Sequence, residues 1–346
     1  MTGIRQLASR LDISIGTVSR ALNDRPGVNA ETRARVLQMA DEIGYFANAS
    51  GQSLRRGSTG AIGVVIETGS PSALGGDNFF FALLDAMQEV LTEQDYDLVL
   101  LPTRHAADPL DSFRRMIRRG MVDAIVLTAT RRNDPRIELL LGSKVPFLTL
   151  GRSETPGDYS WIDLDFERVA RTSVDRLVAL GHRRIAVVTP TGDANLAFLY
   201  ADSAVRALAG HGIDGPPDLV LRAEPSEGGG VMVARDLLTR TERPTAIMSC
   251  SEPMTTGLYS ELLQAGLRIG RDMSIIGFRD NPQCRYLSPA PTCFALALDE
   301  LGQHVANAIA SIAAKNRNAA PRIRTVWPME FRETASIGPP RSPDQS

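Results

Sequence analysis

Short apolar runs alternate with helical patterns along almost the whole chain after Gly60. Runs such as Ala61–Glu67, Asp123–Thr128 and Pro146–Leu150 have the length of strands. The segments between such runs, for example Asn78–Gln94, have helical periodicity. This alternation is typical of parallel sheets covered by helices. About ten strands are too many for one sheet of ordinary size, so the pattern predicts two doubly wound α/β subdomains with ligands bound at the carboxyl ends of the strands, in the cleft between them.

The alternation also predicts the boundaries of these subdomains. We expect a core over residues 60–334, with one subdomain over about 60–165 and the other over about 166–291. The last part of the core is expected to cross back and complete the first subdomain as 292–334, through Thr292–Leu298, Glu300–Ala314 and Arg324–Arg332. The remaining residues, 335–346, are rich in proline and polar residues and are predicted to be a disordered tail.

Residues 1–46 have a different pattern, that of three short helices. Apolar residues recur at helical spacing from Ile4 to Leu11, from Val18 to Leu22 and from Val36 to Ile43. Ser14 is suited to cap the second helix, because its hydroxyl can accept from a free amide at the helix start. Two short helices joined by a tight turn predict an all-α helix-turn-helix domain, whose second helix can lie in the major groove of DNA.

The charge of this N-terminal domain favours DNA as its partner. Through Arg35 it has six arginines against three acidic residues, a net charge of +3, whereas the whole chain sums to −2. Positive charge then lies where phosphates would be. The alternative is an ordinary three-helix subdomain with a solvated basic face. The candidate DNA contacts on the second helix are Ser14, Ile15, Gly16, Thr17, Ser19, Arg20 and Asn23.

Composition excludes several other classes of protein. The chain is 43% hydrophobic and 23% charged, as in ordinary soluble globular proteins. Its apolar runs are too short to span a bilayer and its N-terminus is not a signal peptide, so we expect a cytoplasmic protein without membrane contact. Cys250, Cys284 and Cys293 form no C-x-x-C pair, so we expect neither a disulfide framework nor a metal site, and no cofactor.

Five motifs are shared with one known family. They are Thr17-Val-Ser-Arg-Ala-Leu-Asn23, Val28-Asn-Ala-Glu-Thr-Arg-Ala-Arg-Val36, Ile43-Gly-Tyr45, Leu150-Gly-Arg152 and Leu180-Gly-His-Arg-Arg-Ile-Ala186. On these residues the chain resembles the LacI/GalR family of bacterial transcription regulators from about Ile4 to Thr334. The resemblance implies a homodimer that binds a double-stranded DNA operator, and a core similar to periplasmic sugar-binding proteins. The implied function is a regulator, of the repressor type, of carbohydrate uptake or catabolism genes, controlled allosterically by a small-molecule effector such as a sugar.

The resemblance also implies roles for single residues in DNA binding. Ile15 and Gly16 match the positions that vary base preference, and Ile15 offers apolar contact such as with a thymine methyl group. Residues 47–59 match a hinge helix in which Leu54 enters the minor groove. Gly51 costs this helix about 1 kcal/mol relative to alanine, so we expect a hinge that is harder to order. The other implied DNA contacts are Thr17, Ser19, Asn23, Asn29, Thr32, Asn48 and Gln52.

In the effector cleft the chain departs from the family's sugar-binding pattern. The usual Asn-Asp is Ser251-Glu252, and the usual Gly-Phe-Asp-Asp is Gly277-Phe-Arg-Asp280. We therefore expect a ligand other than an ordinary neutral hexose. Arg279 with Arg152 can hold the anionic group of a sugar acid or sugar phosphate. Alternatively, Arg279 pairs with Glu252 or Asp280 and holds the subdomains together.

The candidate effector-binding residues are Phe80, Arg152, Asp165, Tyr200, Ser251, Glu252 and Arg279. Tyr200 stands near the position where sugar-binding members have an arginine. Phe80 and its neighbours Phe79 and Phe81 offer stacking faces for a ring, with core packing as the alternative. Asp165 can accept from a hydroxyl of the ligand or cap the following helix.

Two further classes of function remain as alternatives. A periplasmic-type ligand-binding protein without regulatory DNA binding explains residues 60–334 but not the basic N-terminal domain. An enzyme is not indicated, because no dinucleotide-binding, phosphate-binding, metalloprotease or serine-hydrolase motif occurs. The sequence leaves open the operator, the regulated genes, the effector, whether the effector induces or co-represses, and whether the protein is a dimer or a tetramer.

Overall fold

The computed structural model describes residues 3–45, 58–68, 79–104, 109–213, 217–314 and 322–341. These residues form two compact units, Met1–Gly60 and Ala61–Ser346. Residues 47–57 of the expected hinge, among them Asn48, Gly51, Gln52 and Leu54, lie outside the described residues.

The N-terminal unit contains three helices, α1 (Ile4–Leu11), α2 (Ile15–Leu22) and α3 (Ala30–Glu42). The apolar stripes predicted from the sequence meet in one small core around Leu7, Val18 and Val36. Ser14 caps α2 by accepting a hydrogen bond from the amide of Thr17. The turn between α1 and α2 is tight, as a helix-turn-helix requires.

The larger unit contains twelve strands and eight helices among its described residues. The strands are β1 (Ala61–Thr68), β2 (Asp97–Arg104), β3 (Ala124–Leu127), β4 (Phe147–Leu150), β5 (Ser160–Leu164), β6 (Ile185–Pro190), β7 (Val220–Ala223), β8 (Ala246–Ser249), β9 (Ser274–Arg279), β10 (Thr292–Ala295), β11 (Arg324–Trp327) and β12 (Glu330–Arg332). The helices are α4 (Phe79–Glu93), α5 (Pro109–Arg119), α6 (Pro135–Leu141), α7 (Phe166–Ala179), α8 (Asn195–Gly210), α9 (Glu227–Thr239), α10 (Glu252–Gln264) and α11 (Leu298–Ala313).

The strands form two six-stranded sheets, one in each subdomain. The first sheet has the order β11-β5-β4-β3-β1-β2 and is parallel throughout. The second has the order β12-β10-β9-β8-β6-β7 and is parallel except for β12, which runs antiparallel to β10. The central strands β3, β6 and β8 are buried along their whole length, as expected for strands with helices on both faces. The two doubly wound subdomains predicted from the alternation are therefore confirmed.

The expected return of the chain to the first subdomain is only partly right. Thr292–Ala295 pairs with β9 and so belongs to the second sheet. The expected single segment Arg324–Arg332 is two strands, of which β11 joins the first sheet and β12 the second. The sequence pattern predicts that a segment is a strand but not which strand it pairs with, so it could not separate these possibilities. The chain crosses between the subdomains three times, after β5, β10 and β11.

The predicted disordered tail is wrong for residues 335–341. Ser336 is fully buried, and its carbonyl accepts from the amide of Ile275 at 2.9 Å. Nε2 of His182 lies 2.8 Å from the carbonyl oxygen of Gly338 and Nδ1 lies 2.8 Å from the hydroxyl of Thr245. The proline-rich composition suggested disorder, but these backbone and histidine hydrogen bonds hold the segment against the second subdomain. Residues 342–346 lie outside the described part of the chain.

Helices α9 and α10 cross so closely that two glycines are required at the contact. A Cβ atom added at Gly257 would lie 1.9 Å from the carbonyl oxygen of Glu227, and one added at Gly230 would lie 2.1 Å from that of Met254. Both clashes are with backbone atoms, which cannot rotate away as a side chain can.

In the described parts of the chain, no helix combines the length and the apolar character that a membrane crossing requires.

Candidate DNA-binding surface and effector cleft

The outer face of α2 carries most of the residues expected to read DNA. Ile15 is 46% exposed at the start of the helix, beside Gly16, which has no side chain. Nε of Arg20 donates to the Gly16 carbonyl at 3.2 Å, so the arginine lies along the helix next to both residues. The hydroxyls of Ser14 and Thr17 lie 2.9 Å apart at the same end. Apolar, hydroxyl and guanidinium groups therefore share one exposed surface.

Several of the expected phosphate contacts also stabilise the domain itself. Nδ2 of Asn23 donates to the carbonyl of Ser19 at 2.6 Å, within one turn of α2. The side chain of Asn29 caps α3 by accepting from the amide of Thr32 at 2.7 Å. These groups hold the helices in place and still lie at the surface of the domain, exposed or half-buried.

Residues of both subdomains line a cavity of about 250 Å³ at the carboxyl ends of the strands. In the first subdomain the lining comes from the start of α4 and from the ends of β3, β4 and β5. In the second it comes from the ends of β8 and β9 and from α8. We call this cavity the effector cleft. It is the position where doubly wound folds bind their ligands.

Arg152 is fixed at the cleft by two carboxylates. Its Nε donates to Asp163 at 2.8 Å and its Nη2 to Glu167 at 2.5 Å. Burial opposes the charge on Arg152, but the hydrogen bonds that it donates to Glu167 and Asp163 together raise its pKa above the ordinary value. Burial raises the pKa of Asp163 to about 6, although the hydrogen bond from Arg152 acts in the opposite direction.

Arg279 is paired with Glu252, one of the two alternatives left open by the sequence. Its Nε donates to Glu252 Oε1 at 2.7 Å, and both side chains are at most 10% exposed. The guanidinium carbon lies 4.3 Å from the centroid of the Phe79 ring, which belongs to the other subdomain. Asp280 instead pairs with Arg285 at 2.9 Å. Arg279 therefore links the subdomains through one aromatic ring while its charge is balanced by Glu252.

Four of the seven candidate effector residues line the cleft, namely Phe80, Arg152, Glu252 and Arg279. The other three have different places. Asp165 caps α7 by accepting from the amide of Arg168, Tyr200 is completely buried in the core, and Ser251 is the buried N-cap position of α10. The phenylalanines differ too, because Phe81 is 73% exposed whereas Phe79 and Phe80 line the cleft.

Sequence reasoning missed three important residues of the lining. Asp163 is a buried acid at the end of β5, between Ile162 and Leu164. An acid inside an apolar strand is uncommon, and this is the sequence signal that could have indicated it. Phe166 and Phe278 stack with centroids 5.2 Å apart and form an apolar wall. Nothing in the spacing of these two phenylalanines distinguishes them from ordinary core residues.

Beside the cleft, the loops after β3 and β6 bind each other and form a second link between the subdomains. Arg131 and Ala194 form an antiparallel bridge. The amide of Arg132 donates to Asp193 at 2.8 Å, and the amide of Asn195 donates to Thr130 at 3.0 Å. The guanidinium groups of Arg132 and Arg222 each lie 4.8 Å from the ring centroid of Phe198. We call this contact between Thr130–Arg132, Asp193–Asn195 and Phe198 the clasp.

A helix-turn-helix unit joined to a core of two doubly wound subdomains defines a class of DNA-binding transcription regulators. Residues 4–48 match the model of the family described as bacterial regulatory proteins, lacI family, and residues 174–335 match the periplasmic binding protein-like domain. The chain is 35% identical to the HTH-type transcriptional regulator AglR of Rhizobium meliloti (strain 1021), over 99% of this chain and 96% of that protein. The chain belongs to the lacI family.

Two further likenesses agree with this membership. The chain is 26% identical to the ribose operon repressor of Haemophilus influenzae, over 94% of this chain and 95% of that protein. The solved structure of the lac repressor dimer bound to operator and the anti-inducer ONPF superposes with a TM-score of 0.83 at 20% identity, over 97% of this chain and 99% of that one. The latter likeness shows the fold. These relatives are transcriptional regulators and not enzymes.

Proposed function

We propose that this chain is a cytoplasmic, homodimeric repressor of genes for carbohydrate uptake or catabolism, with no enzymatic activity. It binds its operator through α2 and changes its operator affinity when a sugar or sugar derivative occupies the effector cleft. The observation that carries the proposal is the combination, in one chain, of an exposed DNA-sized helix face and a cleft with polar pairs between two subdomains. The name of the ribose operon repressor among the relatives supports a carbohydrate effector.

On the DNA side, we propose that Ile15, Gly16 and Arg20 contact bases, with Ser14 and Thr17 beside them. Phosphates are contacted by Ser19, Asn23, Asn29 and Thr32, and the hinge contributes Asn48, Gln52 and Leu54. The residues on α2 support this division, because the apolar side chain and the guanidinium are exposed whereas Asn23 is half-buried and bonded within the helix.

On the effector side, linkage explains how a ligand controls DNA binding. A ligand that binds one arrangement of the subdomains more tightly shifts the protein toward that arrangement, and operator affinity changes only if the arrangement matters for DNA binding. Phe80, Arg152, Glu252 and Arg279 are the candidate residues that contact the ligand. Induction and corepression differ only in which arrangement favours DNA.

Selection from a randomised duplex library at low salt tests the proposal, followed by fluorescence anisotropy on the enriched sequence. We expect the full-length protein to enrich a pseudo-palindrome and Arg20→Ala to weaken binding at least about 10-fold, since an arginine–base contact contributes about 1–3 kcal/mol. Arg235→Ala is the matched control, because Arg235 is an exposed arginine of the core paired with Glu261. If no sequence is enriched, the chain is not a sequence-specific regulator.

A further inference from the structure

Helix α5 of the first subdomain carries four arginines on its exposed side. They are Arg114, Arg115, Arg118 and Arg119. Their i, i+4 spacing places them next to one another along one face of the helix. The other face packs into the core of the first subdomain through Phe113, Met116 and Ile117. We call the four exposed arginines the arginine face.

Little negative charge balances the arginine face. Asp111 is the one acid in the sequence of α5, so the helix has four positive charges against one negative charge, a net charge of +3. Asp111 pairs with Arg114 at 3.3 Å. No acid among the described residues pairs with Arg118 or Arg119. Because like charges four residues apart destabilise a helix, a polyanion beside this face would relieve their repulsion.

The carboxyl end of α5 lies near the point where the chain enters the core. The core begins with β1 at Ala61, directly after the segment that joins it to the helix-turn-helix unit. The amide of Asp123 donates to the carbonyl of Ala61 at 2.7 Å, and Asp123 is four residues after Arg119. Four residues span at most about 14 Å. The arginine face therefore ends close to the first residue of the core.

DNA is the polyanion to which this part of the core is tethered. The N-terminal unit matches a family of DNA-binding regulators, and Ala61 is sixteen residues after Tyr45, the last described residue of its helical part. Sixteen residues span at most about 55 Å, so DNA held by α2 stays close enough for a second contact to be effectively intramolecular. Exposed arginines bind phosphates without a shaped pocket, because their charge acts over about 10 Å at about 0.1 M salt.

We infer that the arginine face is a second DNA-contacting surface, which binds phosphates of the duplex flanking the operator and reads no bases. This inference rests on the proposed function, since α2 must first bring DNA within reach. It goes beyond that function because it assigns residues of the core to DNA. An acidic protein surface has the right charge for the same face, but the chain has no tether that brings such a partner to it.

The test compares two duplexes on the full-length protein by fluorescence anisotropy. One is the selected operator alone, and the other has random sequence added on both sides of the same operator. Wild type is expected to bind the flanked duplex about 10-fold more tightly at low salt. The double variant Arg118→Gln with Arg119→Gln is expected to lose this preference and to bind the bare operator as wild type does. Its salt slope on the flanked duplex should be shallower by about 2–4, because a dimer loses up to four phosphate contacts of about 0.9 each.

Two controls separate a contact from a change of net charge or of fold. Arg206→Gln with Arg271→Gln removes the same charge from two exposed arginines of the second subdomain, neither of which pairs with an acid among the described residues. It should keep the wild-type preference for the flanked duplex. Arg118→Lys with Arg119→Lys keeps the charge and should keep the preference too. Hydroxyl-radical footprints should show protected sugars outside the operator for wild type and both controls, and not for the glutamine variant of α5.

The outcomes keep this inference apart from the proposed function. The inference is overturned if wild type binds both duplexes equally, or if the two glutamine double variants lose the preference alike. It is also overturned if the glutamine variant of α5 keeps the preference, which would leave the face to an acidic protein surface. In each of these cases the bare operator is still bound and the proposed function stands. If selection enriches no operator, the proposed function is overturned and the inference with it.

Discussion

Asp163 is the residue at which the chemistry of the cleft and the stability of the fold meet. It is a buried acid in β5, and burial raises its pKa to about 6 although it accepts from Arg152. Its pKa in the folded protein is therefore above the ordinary 3.8. A carboxyl group of this kind contributes stability that is complete below about pH 3.8 and is lost as the pH rises through about 6.

We expect the stability of wild type to follow this pH dependence, and that of Asp163→Asn not to, because the variant has no ionisable group at this position. The melting temperature of wild type minus that of the variant should fall between about pH 4 and pH 7, because only wild type loses stability as the acid ionises. Asp134→Asn is an informative control of opposite sign. Burial would raise the pKa of Asp134, but hydrogen bonds from Arg136 and from backbone amides lower it. The melting temperature of wild type minus that of Asp134→Asn should therefore increase as the pH rises from acid values. A difference for Asp163 that is flat with pH would contradict the raised pKa.

His182 gives the contact with the C-terminal segment, residues 335–341, a pH dependence of its own. Burial lowers its pKa, so the neutral ring is the folded form, and its contribution is complete above about pH 6.5 and lost as the pH falls. Since the ring bonds to Thr245 and Gly338, His182→Ala should lower the free energy of unfolding by about 1–3 kcal/mol in urea titrations. His211→Ala removes a partly exposed histidine paired with Asp175 and should cost less than about 1 kcal/mol. Equal losses in the two variants would disprove a special role for His182.

Residue types alone predicted some of these local structures and not others. The caps at Ser14 and Asn29 followed from side chains that can accept an amide proton and were found as expected. The partner of Arg279 could not be chosen, because Glu252 lies in another element and its distance depends on how β8 and β9 pair. The role of Asp165 could not be chosen either, because a carboxylate can serve both as a helix cap and as a ligand contact.

Between elements, the closest contact is the crossing of α9 and α10 at Gly230 and Gly257. We expect Gly257→Ala to destabilise the protein by about 1–3 kcal/mol, because its Cβ would lie 1.9 Å from a backbone oxygen. Gly228→Ala is the matched control on α9. A Cβ there has an ordinary contact of 3.7 Å with the side chain of Ser226, so its effect should be within about 1 kcal/mol of zero. Similar urea midpoints for both variants would show that the helices can move apart at little cost.

The clasp is an element-level link between the two subdomains. Phe198→Ala removes the ring between two guanidiniums and should increase hydrogen exchange at the amides of Arg132 and Asn195, which donate across the interface. Val205→Ala, an exposed position on the same helix, should leave both amides protected. Unchanged exchange in Phe198→Ala would show that the backbone bridge holds without the ring.

For the whole molecule, DNA binding should depend strongly on salt. If a dimer makes about six to ten phosphate contacts, the logarithm of the operator association constant should fall with the logarithm of salt concentration with a slope of about −5 to −9. Anisotropy titrations of the full-length protein across a range of salt measure this slope. A slope shallower than about −2 would contradict binding through two basic heads.

The sequence predicted the arrangement of the whole chain where the hydrophobic periodicity changes. It did not predict that arrangement where a strand could pair with either of the two sheets. The change from helical stripes to alternating strands marks the start of the core near Gly60, where the structure also divides. By contrast, the residues of β10 and β12 do not indicate which of the two sheets each strand joins, because that assignment depends on contacts made far along the chain. The buried segment after Thr334 was missed because its composition indicates disorder on average. Composition does not show that His182 and the amide of Ile275 form hydrogen bonds with the segment.

The three crossings between the subdomains limit how regulators of this kind can be recombined. A chimaera that joins the two subdomains of different proteins at a single boundary after β5 would take α11 and β11 of the first subdomain from the wrong parent, because neither subdomain is one continuous stretch of chain. An intact sensor can be transplanted behind a foreign DNA reader only as one piece, from Ala61 through at least Gly338, whose carbonyl receives a hydrogen bond from His182.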